Sequence, residues 1–287
     1  MSVAQAESSS HRRSLVRIRS VGGLFWIAVV VLALLVLFAI LAPLLAPDDP
    51  LSIDLSNVLQ GSTSEHLLGT DQAGRDILSR LMYGARSSLL GALWVVVVST
   101  VLGVAAGVTA AWHGRWIDGI LSRSSDLLFS FPGLLLAILA VTLFGTGLAA
   151  PVIALAIAYT PYVARLSRSA ALVERDRPYI AALRVQGFGG FAICMKHLIP
   201  NIAPVVFAQA TIDFGYALID LAALSYLGLG VQPPAADWGV MVSEGQSSVL
   251  RGAPQQSLFA GVAIVITVVA FNVVGEGLAD RIARRRS

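Results

Sequence analysis

Apolar residues dominate six long stretches of this chain, Leu24–Leu45, Leu89–Trp112, Leu127–Leu148, Ala149–Val163, Ile202–Leu229 and Leu258–Val274. Crossing the hydrocarbon core of a bilayer takes ~20 apolar helical residues. The first stretch holds 22 residues without a charge, ~33 Å of helix at ~1.5 Å per residue. The apolar region of a cleaved signal peptide is only ~7–15 residues long, so this stretch reads as an uncleaved membrane helix. The third and fourth stretches are separated by Gly145, Thr146 and Gly147, a tight helical hairpin. The fourth, interrupted by Pro161, is the shortest and ends at Val163 or continues to Leu166. The pattern predicts an all-α polytopic membrane protein with six transmembrane helices.

Charge placement orients these spans. With the N-terminus inside, the inner segments carry 16 Lys and Arg residues and the outer segments 4. Arg12, Arg13, Arg17 and Arg19 precede the first span, and Arg281, Arg284, Arg285 and Arg286 follow the last. The bias predicts that both termini are cytoplasmic. It also predicts a division into a tail (1–23), a first helix (24–47), an outer loop (48–87), a five-helix region (88–277) and a basic tail (278–287). In the outer loop, Ile77, Leu78, Leu81, Met82 and Ala85 share one stripe. A short amphipathic helix is expected there, lying on the membrane surface or a partner, with Asp71 as its N-cap.

Composition removes several functions. Charged residues make up 13% of the chain, about half the usual share of a soluble domain. No basic folded domain remains to bind nucleic acid. The lone Cys194 excludes an internal disulfide and reads as a packing residue. A phosphate-binding loop of the G-x-x-x-x-G-K-[ST] type needs a lysine, and Lys196 follows no such loop. His11, His66, His113 and His197 are scattered, with no metal-binding or catalytic grouping expected. The chain is predicted to be no enzyme and to hold no cofactor.

The inner loop, 164–203, carries the densest signal. Pro178 suits a first helical turn, Asp176 suits its N-cap, and Gly187 suits its end. Gly189 and Gly190 are expected to keep the chain flexible, with a second short helix over Phe191–Ile199 and the fifth span starting at Pro200. Such a helix–turn–helix, held at the membrane face, can pass rigid-body motion to the spans.

Here the chain resembles the permease subunits of ABC importers. Their inner loop reads EAA, three residues, Gly, nine residues, then I-x-L-P. This chain has Ala181-Ala182-Leu183, three residues, Gly187, nine residues, then His197-Leu198-Ile199-Pro200. The leading Glu and third Ala are replaced by Ala181 and Leu183. The segments HLLGTDQAGRDILSR (66–80), SFPGLLLAI (130–138) and ALSYLGLGVQPPAADWG (223–239) are similar to the dipeptide/oligopeptide/nickel branch. The resemblance implies the type I importer permease fold in the plasma (inner) membrane, with a coupling loop, 168–203, docking on a separate ATPase. It implies half a pore for di- or oligopeptides, nickel or another small solute. The implied partners are a homologous second permease, two cytoplasmic ATPase domains binding ATP and Mg, and an extracytoplasmic substrate-binding protein.

Polar groups inside the spans raise a further question. Gln209, Asp213 and Asp220 lie on the fifth span, the two carboxylates seven residues apart and within about 20° of one face. Ionisable groups in a bilayer are costly and normally face a cavity or partner. These residues either line the path or meet the second permease. The same pair would serve an ion-gradient-driven secondary transporter, a reading that would more naturally show internal repeats and more spans. Gly103 and Gly107 predict close helix packing. The segment from Gln232, Pro233 and Pro234 to Trp238 is expected to be rigid and exposed.

Overall fold

A computed structural model describes residues 23–286, with side chains described through residue 282. The basic tail with Arg12, Arg13, Arg17 and Arg19, together with His11, lies outside the described residues, as do the side chains of Arg284, Arg285 and Arg286. The helices are α1 (Gly23–Ile40), α2 (Ala42–Leu45), α3 (Ile77–His113), α4 (Arg115–Phe129), α5 (Gly133–Phe144), α6 (Ala149–Arg175), α7 (Pro178–Val185), α8 (Gly190–Ile193), α9 (Ile199–Tyr226), α10 (Trp238–Glu244), α11 (Gln246–Leu250) and α12 (Gln255–Arg286). A π turn over Cys194–Leu198 joins α8 to α9, so Gly190–Tyr226 runs as one span.

Among the described residues, five helical runs are long and apolar enough to cross a bilayer: α1, α3, α6, Gly190–Tyr226 and Gln255–Ile282 of α12. The third apolar stretch is not a straight helix. α4 and α5 meet at 82° and supply the sixth span only as a bent pair. Pro132 stands at the break. It lacks an N–H and forces Phe131 away from helical geometry. α5 alone has 12 residues, ~18 Å of helix, well short of the hydrocarbon thickness. The fourth stretch is longer than expected. α6 carries Pro161 inside a continuous helix and ends at Arg175, not Leu166.

The outer amphipathic helix is not a separate element. Its stripe begins α3, which continues for 37 residues to His113. The N-cap is Asp76, whose carboxylate accepts from the Ser79 N–H at 2.7 Å. Asp71 instead accepts from the N–H groups of Ala73 and Arg75. The helical stripe is real, but its Ile77, Leu81 and Ala85 pack with Trp238 and Met241 in the main core.

Packing concentrates between α3 and α6. A Cβ on Gly103 would stand 2.5 Å from the Val163 Cβ, and one on Gly107 would stand 2.5 Å from the Ala164 carbonyl oxygen. Small residues here let two backbones touch, which is how helices associate where the solvent is itself apolar. α9 and α12 pack through stacked Phe214 and Phe271, their centroids 3.9 Å apart. α1 meets α12 where Phe25 lies against Gly277 and beneath the Arg281 guanidinium. Large apolar side chains stay exposed along α1, α3 and α12, as a lipid-facing surface requires.

We expect Gly107→Val to lower stability by about 1–3 kcal/mol, the usual range for overpacking, because the clash is with backbone that cannot swing aside. Gly119→Ala on α4, where nothing lies within 4 Å of the added carbon, should be neutral or slightly stabilising. Thermal unfolding of the purified protein in detergent separates the two, and equal midpoints would contradict the close α3–α6 contact.

Candidate functional site

The inner loop is shorter and more rigid than its sequence suggested. α6 runs into it as far as Arg175, and Asp176 and Arg177 alone separate α6 from α7. Pro178 opens α7 as expected, but Arg177 occupies the N-cap position, with no side-chain bond to the helix. Asp176 is the C-cap of α6, and its carboxylate accepts from Arg175 Nε at 3.0 Å. α7 ends as its glycine dictates. Gly187 has φ +85°, its N–H bonds to the Arg184 carbonyl, and the Phe188 N–H reaches back to Leu183. These two bonds form a Schellman end, which needs a left-handed residue at that position.

The predicted site residues fall into two groups. Ala181, Ala182 and Gly187 are exposed on and just past α7, with Leu183 half-buried. His197, Leu198, Ile199 and Pro200 belong to the wall of the long span, where Leu198 is fully buried. The second short helix therefore merges with the fifth span, and Pro200 does not begin it. Proline cannot donate to the preceding turn, and its ring crowds the carbonyl there, so the helix widens into the π turn. Gly190 is no flexible joint either. A Cβ there would stand 2.6 Å from the Trp112 indole nitrogen, so glycine admits the end of α3.

Side chains that the motif does not name tie this loop down. The Arg175 guanidinium donates at 2.6 Å to the carbonyl of Ala111, one of the last in α3. Arg184 lies over the Trp112 ring at 4.4 Å. The Glu174 carboxylate, on buried Glu174, accepts from Tyr179 Oη at 2.6 Å and Asn201 Nδ2 at 3.0 Å. Beyond this anchored base, Val185 is 89% and Phe191 82% exposed, with Phe188 beside them. Val185 and Phe188, held outward at and just past the end of α7, form an apolar surface suited to a partner, while Phe191 stands in the first turn of the long span. Only the run of large apolar residues among glycines could have signalled them.

Gln209, Asp213 and Asp220 each take part in a hydrogen bond within the chain. Gln209 Nε2 donates to Asp213 at 2.8 Å, and Tyr159 Oη of α6 donates to Asp220 at 3.0 Å. Asp213 is buried and its Oδ2 has no hydrogen-bond partner among the described residues, whereas Asp220 is half-buried.

A second polar cluster closes the opposite end of α3. Glu244 accepts from Arg80 at 2.7 Å, Arg75 at 3.2 Å and Gln256 at 3.3 Å, and Asp71 pairs with Arg75 at 2.7 Å. Trp238, expected to be exposed, is buried, and its indole donates to the Leu81 carbonyl. Asp237 caps α10 and accepts from Ser88 at 2.6 Å. Burial pushes its carboxyl up from the usual range, against the pull of those bonds. Gln232, Pro233 and Pro234 are exposed, as expected. His66 is not isolated. Its Nδ1 lies 3.1 Å from Asp76 and 3.7 Å from Asp48. The donors could surround a cation, yet Asp76 caps α3, whose positive end disfavours one; an imidazole–carboxylate bond explains the contact.

A family model described as binding-protein-dependent transport system inner membrane component matches residues 99–287. The chain belongs to that family. The permease also matches a model for the N-terminal TM domain of oligopeptide transport permease C, over residues 23–61. It is 39% identical to the dipeptide transport system permease protein DppC of Alkalihalophilus pseudofirmus, over 88% of this chain and 83% of the relative. It is 39% identical to the glutathione transport system permease protein GsiD of Pectobacterium atrosepticum (86% and 82% covered). With the di/tripeptide transport system permease protein DppC of Pseudomonas aeruginosa it shares 38% identity (91% and 86% covered). A chain of the inward-facing MetNI methionine ABC transporter shares the fold, with a TM-score of 0.57, 22% identity and coverage of 72% of this chain and 96% of that one. The permease is thus a membrane transport subunit of an ABC importer and not an enzyme, of a family whose members work with ATPase and binding-protein partners. Nothing supports the ion-gradient alternative.

Removing Glu244 would leave the Arg75 and Arg80 guanidiniums sharing Asp71. We expect Glu244→Ala to cost about 3–5 kcal/mol, the usual penalty for breaking a buried pair, and Glu244→Gln to cost less. An unchanged unfolding midpoint for Glu244→Ala would contradict the clamp.

Proposed function

We propose that this permease forms half of a translocation pore for short peptides and receives mechanical work from a separate ATPase through α7. The carrying observation is the exposed surface of Ala181, Ala182 and Val185 on α7, with Phe188 just past its end, on a helix two residues from one span and anchored to two others. Such an element moves with its spans as a body, so a partner gripping it tilts them together.

The remaining partners follow from this reading. A homologous second permease completes the pore, two cytoplasmic ATPase domains bind ATP and Mg, and an extracytoplasmic binding protein delivers solute. This chain holds no cofactor. Charge supports α7 and both termini on the cytoplasmic side. Relatives named for dipeptides, di/tripeptides and glutathione, itself a tripeptide, support a peptide substrate over nickel.

Gly187→Val tests the role of α7. A β-branched residue at φ +85° is strained by about 1–3 kcal/mol, although open space surrounds the position. Membrane insertion should be normal, while ATP-driven peptide uptake by the assembled importer in liposomes should fall severely. Wild-type uptake would count against the coupling role.

A further inference from the structure

α7 meets α6 through Asp176 and Arg177, and meets the following span through a connection containing Gly187 and Gly189. Neither connection alone fixes its direction. Rotation about the few torsions at 176–177 would let α7 swivel when pulled, and the glycines would let it slide past α9. Work delivered to α7 would then be dissipated in the loop.

One side-chain cluster blocks both motions. Glu174 lies in the last turn of α6, Tyr179 in the first turn of α7 and Asn201 in the first turn of α9. Their polar atoms meet. Tyr179 Oη donates to Glu174 Oε1 at 2.6 Å, and Asn201 Nδ2 lies 3.0 Å from the same oxygen and 2.7 Å from Tyr179 Oη. Arg177 Nε, from the connection itself, pairs with Glu174 Oε2 at 3.1 Å. A carboxylate on a residue only 4% exposed thus accepts from three different side chains, and bonds to an ionised acceptor are the stronger kind. The His197 ring stands against Tyr179 at 6.4 Å between centroids.

We propose that Glu174, Tyr179 and Asn201 form a latch that locks α6, α7 and α9 into one rigid unit, so that displacement of α7 reaches both spans. These are positioning residues, and the proposal rests on the reading of α7 as the ATPase contact. Burial, with Glu174 accepting its bond, pushes the Tyr179 hydroxyl above the ordinary tyrosine range, so it remains a donor at neutral pH. The exposed face of α7 carries Ala181, Ala182 and Val185 and shares none of these residues. Docking and transmission can therefore be separated by mutation.

The test uses the whole importer in liposomes, measuring peptide imported per ATP hydrolysed, with a cross-link from Val185→Cys to the ATPase reporting docking. In Tyr179→Phe, which keeps the ring and removes the hydroxyl, the cross-link and ATP hydrolysis should persist while peptide per ATP falls roughly tenfold, the scale of one lost charge-assisted bond. Asn201→Ala should do the same, and the double variant should be no worse than either single one, because the three side chains act as a unit. Glu174→Gln keeps the shared oxygen and should recover part of the ratio that Glu174→Ala loses. A wild-type ratio in Tyr179→Phe with the cross-link intact overturns the latch and leaves the docking surface standing. Loss of the cross-link in Tyr179→Phe, with its hydrolysis, also overturns the latch, since α7 would then be failing to dock. Absence of the cross-link in the Val185→Cys importer with Glu174, Tyr179 and Asn201 intact overturns both.

Discussion

Backbone contact between α3 and α6 is the constraint that orders this molecule. At Gly103 and Gly107 the two helices stand too close for any side chain, and this contact fixes where α6 ends. α6 carries α7 at that end, and α3 carries Trp112, which receives Gly190 and Arg184. A single seam in the bilayer thus sets the position of everything beyond it. Lipid offers no hydrophobic drive for helices to associate, so shape at such seams bears much of the specificity.

Polar chemistry is pushed to the two ends of α3, ~55 Å apart for a helix of 37 residues. At one end, Glu244 gathers Arg75, Arg80 and Gln256, fixing α10 and α12 against the start of α3. At the other, Glu174 gathers Tyr179, Asn201 and Arg177. Each is a buried or half-buried carboxylate surrounded by donors from separate elements. Between them the spans hold isolated polar pairs, such as Asp220 with Tyr159. Two rigid ends joined by closely packed spans suit a part that transmits force.

Long uncharged runs made the spans legible in sequence, because a helix is the simplest way to satisfy every backbone group in lipid. Gly187 was legible as a helix end for a comparable reason, since its left-handed turn excludes other residues. Interruptions were harder to read. Pro161 and Pro200 proved compatible with continuous helices, whereas Pro132 broke one. Local sequence does not record whether neighbouring helices supply the missing bonds. The amphipathic stripe from Ile77 showed an apolar face but not its partner, Trp238, some 160 residues away. Glu174, Tyr179 and Asn201 were invisible as a group because nothing in one dimension places them together.

The account requires α7 to face the compartment where ATP is made available. Labelling a Val185→Cys variant, in a Cys194→Ala background, with a membrane-impermeant thiol reagent addresses this directly. The account predicts modification in inside-out vesicles and none in intact cells. Modification from outside intact cells, with none in inverted vesicles, would contradict it.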